Sequence, residues 1–400
     1  MAEELRLSYE SPQISGDRIK WFGTMTASDV DSRIFFDFSY PNISKFQPTI
    51  RPFLLAYLVP AMRLGRPLRL SQPIDASTYQ NLMEWQETFA SLIPKRLKVV
   101  PIRGEITRDI PRLVQGDRQS LTTFSGGVDS CFTALRHAGK TIDAHPDPTY
   151  RRSRLAAGLM VHGFDIPLNQ SDIFESAWAR SKRMLESWGA TALRMRTNLR
   201  SLNVEFDCDW GNESHGIWLA AVLSCYESCY DTFLIPSTYA HPALSMPWGS
   251  NAITDPLFSS GSATYWHDGA AYNKLEKVRG IAHDLSVQRN LRVCWQGAQL
   301  DRNCGHCFKC VATQLCFLVS GHAEPDCFER PYTNADIAKV HLRTPPNRWL
   351  FQQLRQEAKA QNHQSVVRSL NRMFARQFFL DFSPRKILKK ILKSLGLRAT

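Results

Sequence analysis

Residues 121–130 read Leu-Thr-Thr-Phe-Ser-Gly-Gly-Val-Asp-Ser. A short β-branched run ends in two glycines and hydroxyl residues, and helical spacing follows, which predicts a strand, a tight loop and a helix start. Gly126 and Gly127 have no Cβ, so the backbone can take a positive φ and approach a ligand closely. The first helix amides attract phosphate, and the Ser125 and Ser130 hydroxyls can add donors. The alternative is an ordinary glycine turn with Ser130 as the helix cap.

The hexapeptide at 125–130 resembles the PP-loop of the N-type ATP pyrophosphatases, the family of GMP synthetase, NAD synthetase and the tRNA-thiolating enzymes. The resemblance implies an α/β fold with a HUP-type parallel sheet. It also implies that the loop holds the β,γ-pyrophosphate of ATP, and that cleavage between the α and β phosphates leaves an adenylated substrate. The ATP-binding residues that the motif implies are Ser125, Gly126, Gly127, Val128, Asp129 and Ser130. Asp129 is also the catalytic candidate, either as a Mg²⁺ ligand or through orienting the loop.

The segment 155–165 predicts a second buried strand that ends in a polar loop. Ligands of parallel sheets sit beyond the carboxyl ends of the strands, and the resemblance implies that adenine lies near Met160, Val161 and His162. A lone histidine at a strand end is equally well explained as a structural, hydrogen-bonded one. Farther along the chain, Glu213 and His215 stand at a predicted helix start, where capping and a role in the site are balanced hypotheses.

A lysine is expected beside the ATP phosphates. The segment 272–278 resembles the lysine-containing helix that follows the last sheet strand of PP-loop enzymes. Lys274 is the preferred catalytic candidate for stabilising charge at the α-phosphate, and Lys277 is the alternative. Either residue is also compatible with a solvated position on the helix.

Four cysteines have the spacing of a metal site. Cys294, Cys304, Cys307 and Cys310 follow the pattern Cys-x9-Cys-x2-Cys-x2-Cys. Two-residue gaps let consecutive thiolates turn towards one ion, and four thiolates form a closed, structural Zn²⁺ site. An iron–sulfur cluster is the competing interpretation, because Cys-x2-Cys-x2-Cys also begins a ferredoxin-type run.

A PP-loop followed by a four-cysteine cluster resembles the 7-cyano-7-deazaguanine synthases of the queuosine pathway, over about residues 118–321. Those enzymes adenylate a carboxylate, add ammonia and dehydrate the amide to a nitrile. The chain departs from them in its N-terminal region, in a long loop at 246–261 and in a basic tail. Longer relatives of the synthases occur in bacterial anti-phage (antiviral) defence systems. The function expected from the resemblance is therefore an ATP-dependent, C–N-forming ligase that uses ATP and Mg²⁺ on a small-molecule or protein acceptor.

Two other functions stay open from the sequence. A tRNA or small-molecule sulfur transferase would need a reactive thiol outside the cluster, and Cys131, Cys208, Cys225 and Cys229 are available. A nucleotide-responsive binding protein would bind ATP without turning it over.

The loop at 246–261 is the expected region for substrate recognition, because loops of this length in compact domains are usually functional. A turn-rich insert at 143–154 carries Arg151, Arg152 and Arg154 and is interpreted either as a nucleotide lid or as a solvated loop.

Composition and patterning predict three regions. Residues 1–116 form a small α+β domain, residues 117–330 the PP-loop domain with its metal knuckle, and residues 331–400 a helical basic tail.

The formal net charge is +12, and residues 335–400 carry fourteen lysines and arginines against three carboxylates. The segment 385–395 predicts a basic amphipathic helix for an acidic membrane surface, nucleic acid or an acidic partner, or a docked terminal helix. A homodimer is compatible with the sequence. The acidic start and the lack of a long apolar stretch predict a cytoplasmic protein.

Overall fold

The computed structural model describes residues 3–109, 119–141, 153–240, 248–294 and 299–381. The chain divides into two compact units, Met1–Arg292 and Val293–Thr400. Residues 143–152 of the predicted arginine-rich insert and the basic segment at 385–395 lie outside the described residues, while Arg154 of the insert is the first residue of a described strand. No helix within the described ranges is long and apolar enough to cross a membrane.

The first unit is built on a mixed sheet of eleven strands, counted over the described residues. Its spatial order is β13-β12-β9-β10-β11-β4-β3-β1-β5-β7, with β2 paired to β3, while β6 and β8 form a separate small sheet. The strands are β1 Leu5–Tyr9, β2 Gln13–Ser15, β3 Arg18–Ala27, β4 Val30–Ser39, β5 Leu68–Leu70, β6 Ile74–Asp75, β7 Ile102–Arg103, β8 Ile106–Thr107, β9 Gln119–Thr123, β10 Arg154–His162, β11 Thr191–Thr197, β12 Thr232–Pro236 and β13 Thr264–Asp268.

The five strands from β13 to β11 are all parallel to one another. The cores of β9, β10 and β12 are almost continuously buried, as expected for parallel strands that are covered on both faces. The α/β prediction is therefore confirmed at the level of a mixed fold with a large parallel segment. At β11 the direction changes, because β4 pairs with it in antiparallel register, Met195 opposite Phe38 and Thr197 opposite Phe36.

Eight helices are described in the first unit: α1 Arg51–Leu64, α2 Ala76–Leu92, α3 Val128–His137, α4 Ser171–Ser187, α5 Ser201–Glu205, α6 His215–Ser224, α7 Lys274–Ile281 and α8 Leu285–Asn290. Helices α1, α2 and α6 share one hydrophobic core with the sheet, a core that includes Trp85, Trp218, Leu121 and Leu159. On the opposite face, α4 covers β10, where Leu185 lies against the backbone of Gly158. Strand β10 is thus enclosed on both sides.

The N-terminal strands belong to the same sheet as the parallel strands. Predicted elements at 33–40, 68–70, 53–64 and 78–92 agree with β4, β5, α1 and α2. The strand predicted at 97–102 is wrong for most of its length, since only Ile102–Arg103 is a strand. The strands Leu5–Tyr9 and Arg18–Ala27 were not predicted. The compact units divide at 292/293, whereas the sequence predicts boundaries at 116/117 and 330/331.

The second unit contains four described helices: α9 Phe308–Val319, α10 Asn334–Lys339, α11 Pro345–Ala360 and α12 Gln364–Asp381. The last two agree with the helices predicted at 348–360 and 364–379. Their inward residues Phe351, Leu354, Leu370 and Met373 are buried. This part of the predicted tail is therefore folded against its own unit.

Candidate nucleotide site and metal centre

The glycine loop joins the carboxyl end of β9 to the start of α3, as the sequence predicts. Gly126 has φ +75°, in the left-handed region, and a Cβ there would lie 3.1 Å from Ser181 Oγ. Gly127 is different, because φ −84° and ψ 175° are values that any residue adopts. A Cβ on Gly127 would make ordinary contacts at 3.4 Å with Ser125 Oγ and 3.5 Å with Arg292 O. The backbone therefore requires glycine at 126 but not at 127.

The two serines of the loop face each other. Ser125 Oγ lies 3.4 Å from Ser130 Oγ and accepts a 3.4 Å hydrogen bond from the amide of Gly127. Ser130 Oγ donates to the carbonyl of Gly127 at 3.1 Å. Gly127 is the N-cap of α3 and supplies no side-chain oxygen to its first amides. The positive end of the α3 dipole thus opens into this loop, which is the arrangement that attracts an anion.

Lys277 is the lysine that reaches the loop. Its Nζ donates to Asp129 Oδ1 at 2.9 Å and to Ser237 Oγ at 2.9 Å, and it also contacts the Ser237 carbonyl. The Lys277 side chain is 2% exposed, while that of Asp129 is 39% exposed. Asn273 and Glu276 form a capping box that starts α7 at Lys274. The preferred candidate Lys274 is only partly buried, and the structure brings the alternative, Lys277, to Asp129 instead.

Arg292 is a second cation at the loop, and sequence reasoning missed it. Its guanidinium donates to the carbonyl of Ser125 at 3.1 Å and lies 3.5 Å from Asp165 Oδ2. Its amide donates to the carbonyl of Gly126 at 2.8 Å. Although the side chain is 5% exposed, it lines the cleft. An arginine without a motif around it gives no signal in the sequence, so only the fold reveals this contact.

A cleft of about 170 Å³ lies beside the loop. It is lined by residues from the ends of three strands and from the loops that follow them, including Ser125, Asp129, Ser130, Met160, Val161, Asp165, Pro236 and Thr238. Asp129, whose side chain is 39% exposed, lines the cleft and accepts the hydrogen bond from Lys277. Of the three residues predicted to contact adenine, Met160 and Val161 line this cleft and His162 does not.

His162 has a structural environment instead. Its ring stacks on Phe174 with centroids 4.4 Å apart, and Nε2 lies 2.9 Å from the carbonyl of Pro167. Burial lowers its pKa, which favours the neutral imidazole. The structural interpretation of His162 therefore fits better than a contact with a nucleotide in the cleft.

Glu213 and His215 are also held by the protein. Glu213 is fully buried, forms an ion pair with Arg96 and accepts a 2.8 Å hydrogen bond from the amide of Asp209. His215 Nδ1 lies 3.2 Å from the carbonyl of Gly211, and burial lowers its pKa to about 4. Both side chains thus stabilise the π-helical turn Trp210–Ser214 and the start of α6.

The described part of the long loop, from Trp248 onward, is ordered by a buried polar cluster. His267 Nδ1 lies 2.7 Å from Asp255 Oδ2, and Ser250 Oγ donates to the same carboxylate at 2.6 Å. Both members of the His267–Asp255 pair have side chains less than 5% exposed. The cluster anchors the loop to β13.

The four predicted metal ligands come together in the second unit. The Sγ atoms of Cys294, Cys304, Cys307 and Cys310 all lie within 4.8 Å of one another. Cys294 Sγ is 3.7 Å from both Cys304 Sγ and Cys307 Sγ, and Cys304 Sγ is 3.8 Å from Cys310 Sγ. Four thiolates at the usual Zn–S distance of about 2.3 Å in a tetrahedron would be about 3.8 Å apart. The cluster could therefore hold a metal ion such as zinc.

Two neighbouring residues shape the cysteine cluster. Gly305 has φ +79°, and a Cβ there would lie 2.4 Å from the carbonyl of Arg330, so only glycine fits. Asn303 is fully buried, and its Oδ1 accepts hydrogen bonds from the amides of Val293 and Cys294 at 2.8 and 3.1 Å. Its Nδ2 donates to the carbonyl of Cys327 at 3.0 Å. Asn303 thus fixes the first cysteine relative to the other three.

Comparisons of the chain with protein-family models, with curated proteins and with solved structures gave no match. The function must therefore be inferred from the loop, the cleft and the cysteine cluster.

Proposed function

We propose that the protein is an ATP-dependent adenylating ligase of the PP-loop class, with a HUP-type nucleotide domain. The observation that carries the proposal is Gly127. Its backbone is ordinary and its surroundings accept a Cβ, so folding alone does not demand glycine there. A ligand that approaches the backbone closely does demand it. The helix N-terminus and the facing hydroxyls of Ser125 and Ser130 indicate that this ligand is an anion.

The charges around the loop fit a triphosphate. Lys277 and Arg292 both reach the loop, one at Asp129 and the other at the Ser125 carbonyl. In the proposed complex the loop amides and Ser125 and Ser130 hold the pyrophosphate, and Met160 and Val161 contact the adenine. Asp129 would hold Mg²⁺, which supplies charge neutralisation for the phosphates.

The proposed reaction requires little from the protein beyond positioning and charge stabilisation. A carboxylate or carbonyl oxygen of the acceptor attacks the α-phosphate, and pyrophosphate leaves. Ammonia or an amine then displaces AMP, as in the 7-cyano-7-deazaguanine synthases that the motifs resemble. Lys277 would stabilise the charge that develops on the phosphate oxygens, because its side chain is buried and its ammonium is positioned by hydrogen bonds to Asp129 and Ser237.

The metal proposed for the cysteine cluster is Zn²⁺, in a structural role. The short distances between the sulfur atoms support one shared ion. An iron–sulfur cluster would place its thiolates on different irons and so farther apart. Because all four ligands are thiolates, no coordination position is left for a substrate.

The thiols outside the cluster weigh against a sulfur transferase. Cys131, Cys208 and Cys225 are buried, and burial raises the pKa of Cys208 to about 12. Burial also raises the pKa of Cys225 and Cys229. Since the thiolate is the nucleophile in sulfur transfer, these residues are poorly suited to it.

The test is a mass-spectrometric assay of nucleotide products. The full chain would be incubated with Mg²⁺, ATP and ammonia, either with 7-carboxy-7-deazaguanine or with a metabolite extract. We expect AMP and pyrophosphate from the wild type, a loss of at least a hundredfold in Lys277→Met, and near-normal turnover in Lys274→Met. The second variant is matched, because the two lysines are one helical turn apart on α7.

Thermal melting and ATP binding would accompany the assay, since Lys277 is buried. ADP and phosphate as products would exclude adenylation. ATP binding without turnover, whatever acceptor is offered, would instead favour a nucleotide-responsive binding protein. Equal losses in both lysine variants would contradict the role given to Lys277.

A further inference from the structure

One face of the antiparallel part of the sheet is left exposed, over the strands that the structure describes. Strand β4 continues the sheet beyond β11, and β3 and β1 continue it further, with antiparallel pairing throughout. Along most of β3 and β4, every second residue is buried in the core beneath α1. The residues between them lie on the other side of the sheet and are partly or fully exposed. We call this exposed side of β11, β4, β3 and β1 the open face.

Two aromatic side chains lie at the centre of the open face, where solvated strands normally carry polar residues. Phe22 and Phe35 are opposite each other in the β3–β4 register, with ring centroids 6.2 Å apart. The guanidinium of Arg33 lies 4.0 Å from the centroid of the Phe22 ring. A planar cation and an aromatic ring are thus presented side by side.

The surrounding charge is mainly positive. Over the described strands the open face carries Arg6, Arg18, Lys20, Arg33, Arg194 and Arg196 against Asp31 and Asp37. Three of the arginines are paired with carboxylates, Arg18 with Asp37, Arg33 with Glu10 and Arg194 with Glu175. Within the described part of the chain, no ion pair involves Arg6, Lys20 or Arg196. All three are exposed, and the ammonium of Lys20 lies 5.2 Å from the centroid of the Phe22 ring.

A groove lies at the border of the open face, between α4 and the strands β11, β4 and β3. It has a volume of about 560 Å³, and Trp178 of α4, Lys182, Arg194 and Arg196 contribute to its lining. The guanidinium of Arg194 lies 6.0 Å from the centroid of the Trp178 ring. The groove therefore places aromatic and basic groups side by side, as at Phe22 and Arg33, although Asp17, Asp37 and Glu175 also line it.

We propose that the open face binds single-stranded RNA. Open four-stranded sheets take RNA by stacking unpaired bases on aromatic rings and arginine planes, while nearby cations contact the phosphates. Four strands at about 4.8 Å spacing span roughly 14 Å, enough for two or three nucleotides. The Ser8 and Thr24 hydroxyls, 3.0 Å apart on the same face, can hydrogen-bond to ribose 2′-hydroxyls. The proposal is independent of the ATP chemistry.

The test is fluorescence anisotropy of the full chain with a fluorescein-labelled 12-nucleotide single-stranded RNA, measured over a range of KCl concentrations. Phe35→Leu keeps an apolar residue on the strand but removes the ring, and we expect about tenfold weaker binding. The double variant Lys20→Ala/Arg196→Ala should reduce the slope of log affinity against log salt by about 1.4, or about 0.7 for each lost phosphate contact.

The matched control is Lys95→Ala/Lys98→Ala, two exposed lysines in the segment that follows α2, away from the open face. Lys389→Ala/Lys390→Ala tests the basic tail. Unchanged affinity in the open-face variants, or a loss confined to the tail variant, would overturn the proposal. Equal affinity for DNA of the same sequence would overturn the choice of RNA. If the protein binds phosphatidylserine vesicles and not RNA, and the open-face substitutions abolish that binding, the open face contacts a membrane surface instead.

Discussion

Replacing Gly127 with alanine separates ligand binding from folding. The native φ of −84° suits alanine, and its Cβ would meet Ser125 Oγ and Arg292 O at ordinary contact distances. Alanine leaves the unfolded chain fewer conformations than glycine does, which raises the free energy of unfolding by about 0.4–1 kcal/mol. Alanine is a poorer N-cap than glycine by about 0.5 kcal/mol or more, which offsets that gain. We therefore expect the melting temperature of Gly127→Ala to stay within about 2 °C of the wild type.

Nucleotide binding should respond very differently. The added methyl carbon lies 3.4 Å from Ser125 Oγ, the hydroxyl proposed to donate to pyrophosphate. It therefore competes with a phosphate oxygen for the same space. We expect the affinity for Mg²⁺–ATP, measured by isothermal titration calorimetry, to fall at least tenfold, equivalent to about 1.4 kcal/mol.

Gly139→Ala is the reverse control, because Gly139 has φ +69° just after α3 and nothing within 4 Å of a Cβ. The left-handed conformation costs an alanine about 1–2 kcal/mol, so this variant should melt earlier and still bind ATP normally. Wild-type affinity in Gly127→Ala would refute the phosphate-binding loop. A large loss of stability in Gly127→Ala would refute the argument from its backbone.

Three further predictions concern the metal, the pH dependence and the thiols. Gly305→Ala should lose its bound zinc, measured by plasma mass spectrometry, because its Cβ collides with the Arg330 carbonyl; Gly321→Ala, which has φ +83° and open space, should keep the metal. Stability in urea should fall as the pH drops from 6.5 to 4, because buried His215 has a pKa of about 4 and the unfolded chain takes up the proton first. His215→Asn should remove about 3 kcal/mol of that dependence. Cys208→Ser should retain full AMP formation, and loss of activity there would revive the sulfur-transferase hypothesis.

Much of the local structure could be predicted from the sequence. The loop at 125–130 lies between Gln119–Thr123 and Val128–His137, close to the predicted strand and helix. The four cysteines come together as their spacing predicts, with two-residue gaps between the last three. Short-range sterics and spacing control both features, and a sequence displays these directly.

The partners of the loop could not be predicted in the same way. The choice between Lys274 and Lys277 depends on where the α7 capping box begins and on how α7 lies against α3. The contact between Lys277 and Asp129 joins residues 148 positions apart. Arg292 had no motif at all, although it is bonded to Ser125 across 167 positions. His162 was expected near the adenine because it ends the right strand, but its ring is held by Phe174 and Pro167.

The sequence alone determined the glycine loop, the cysteine cluster and the alternation of strands with helices, because backbone conformation and short ligand spacing are local properties. Only the tertiary structure decided that β4 pairs with β11, so that the N-terminal strands extend the parallel sheet and leave a basic, aromatic face uncovered. Strand pairing joins segments more than 150 residues apart. Its free energy comes from burying both faces of distant strands together, and no short stretch of sequence records which strands will meet.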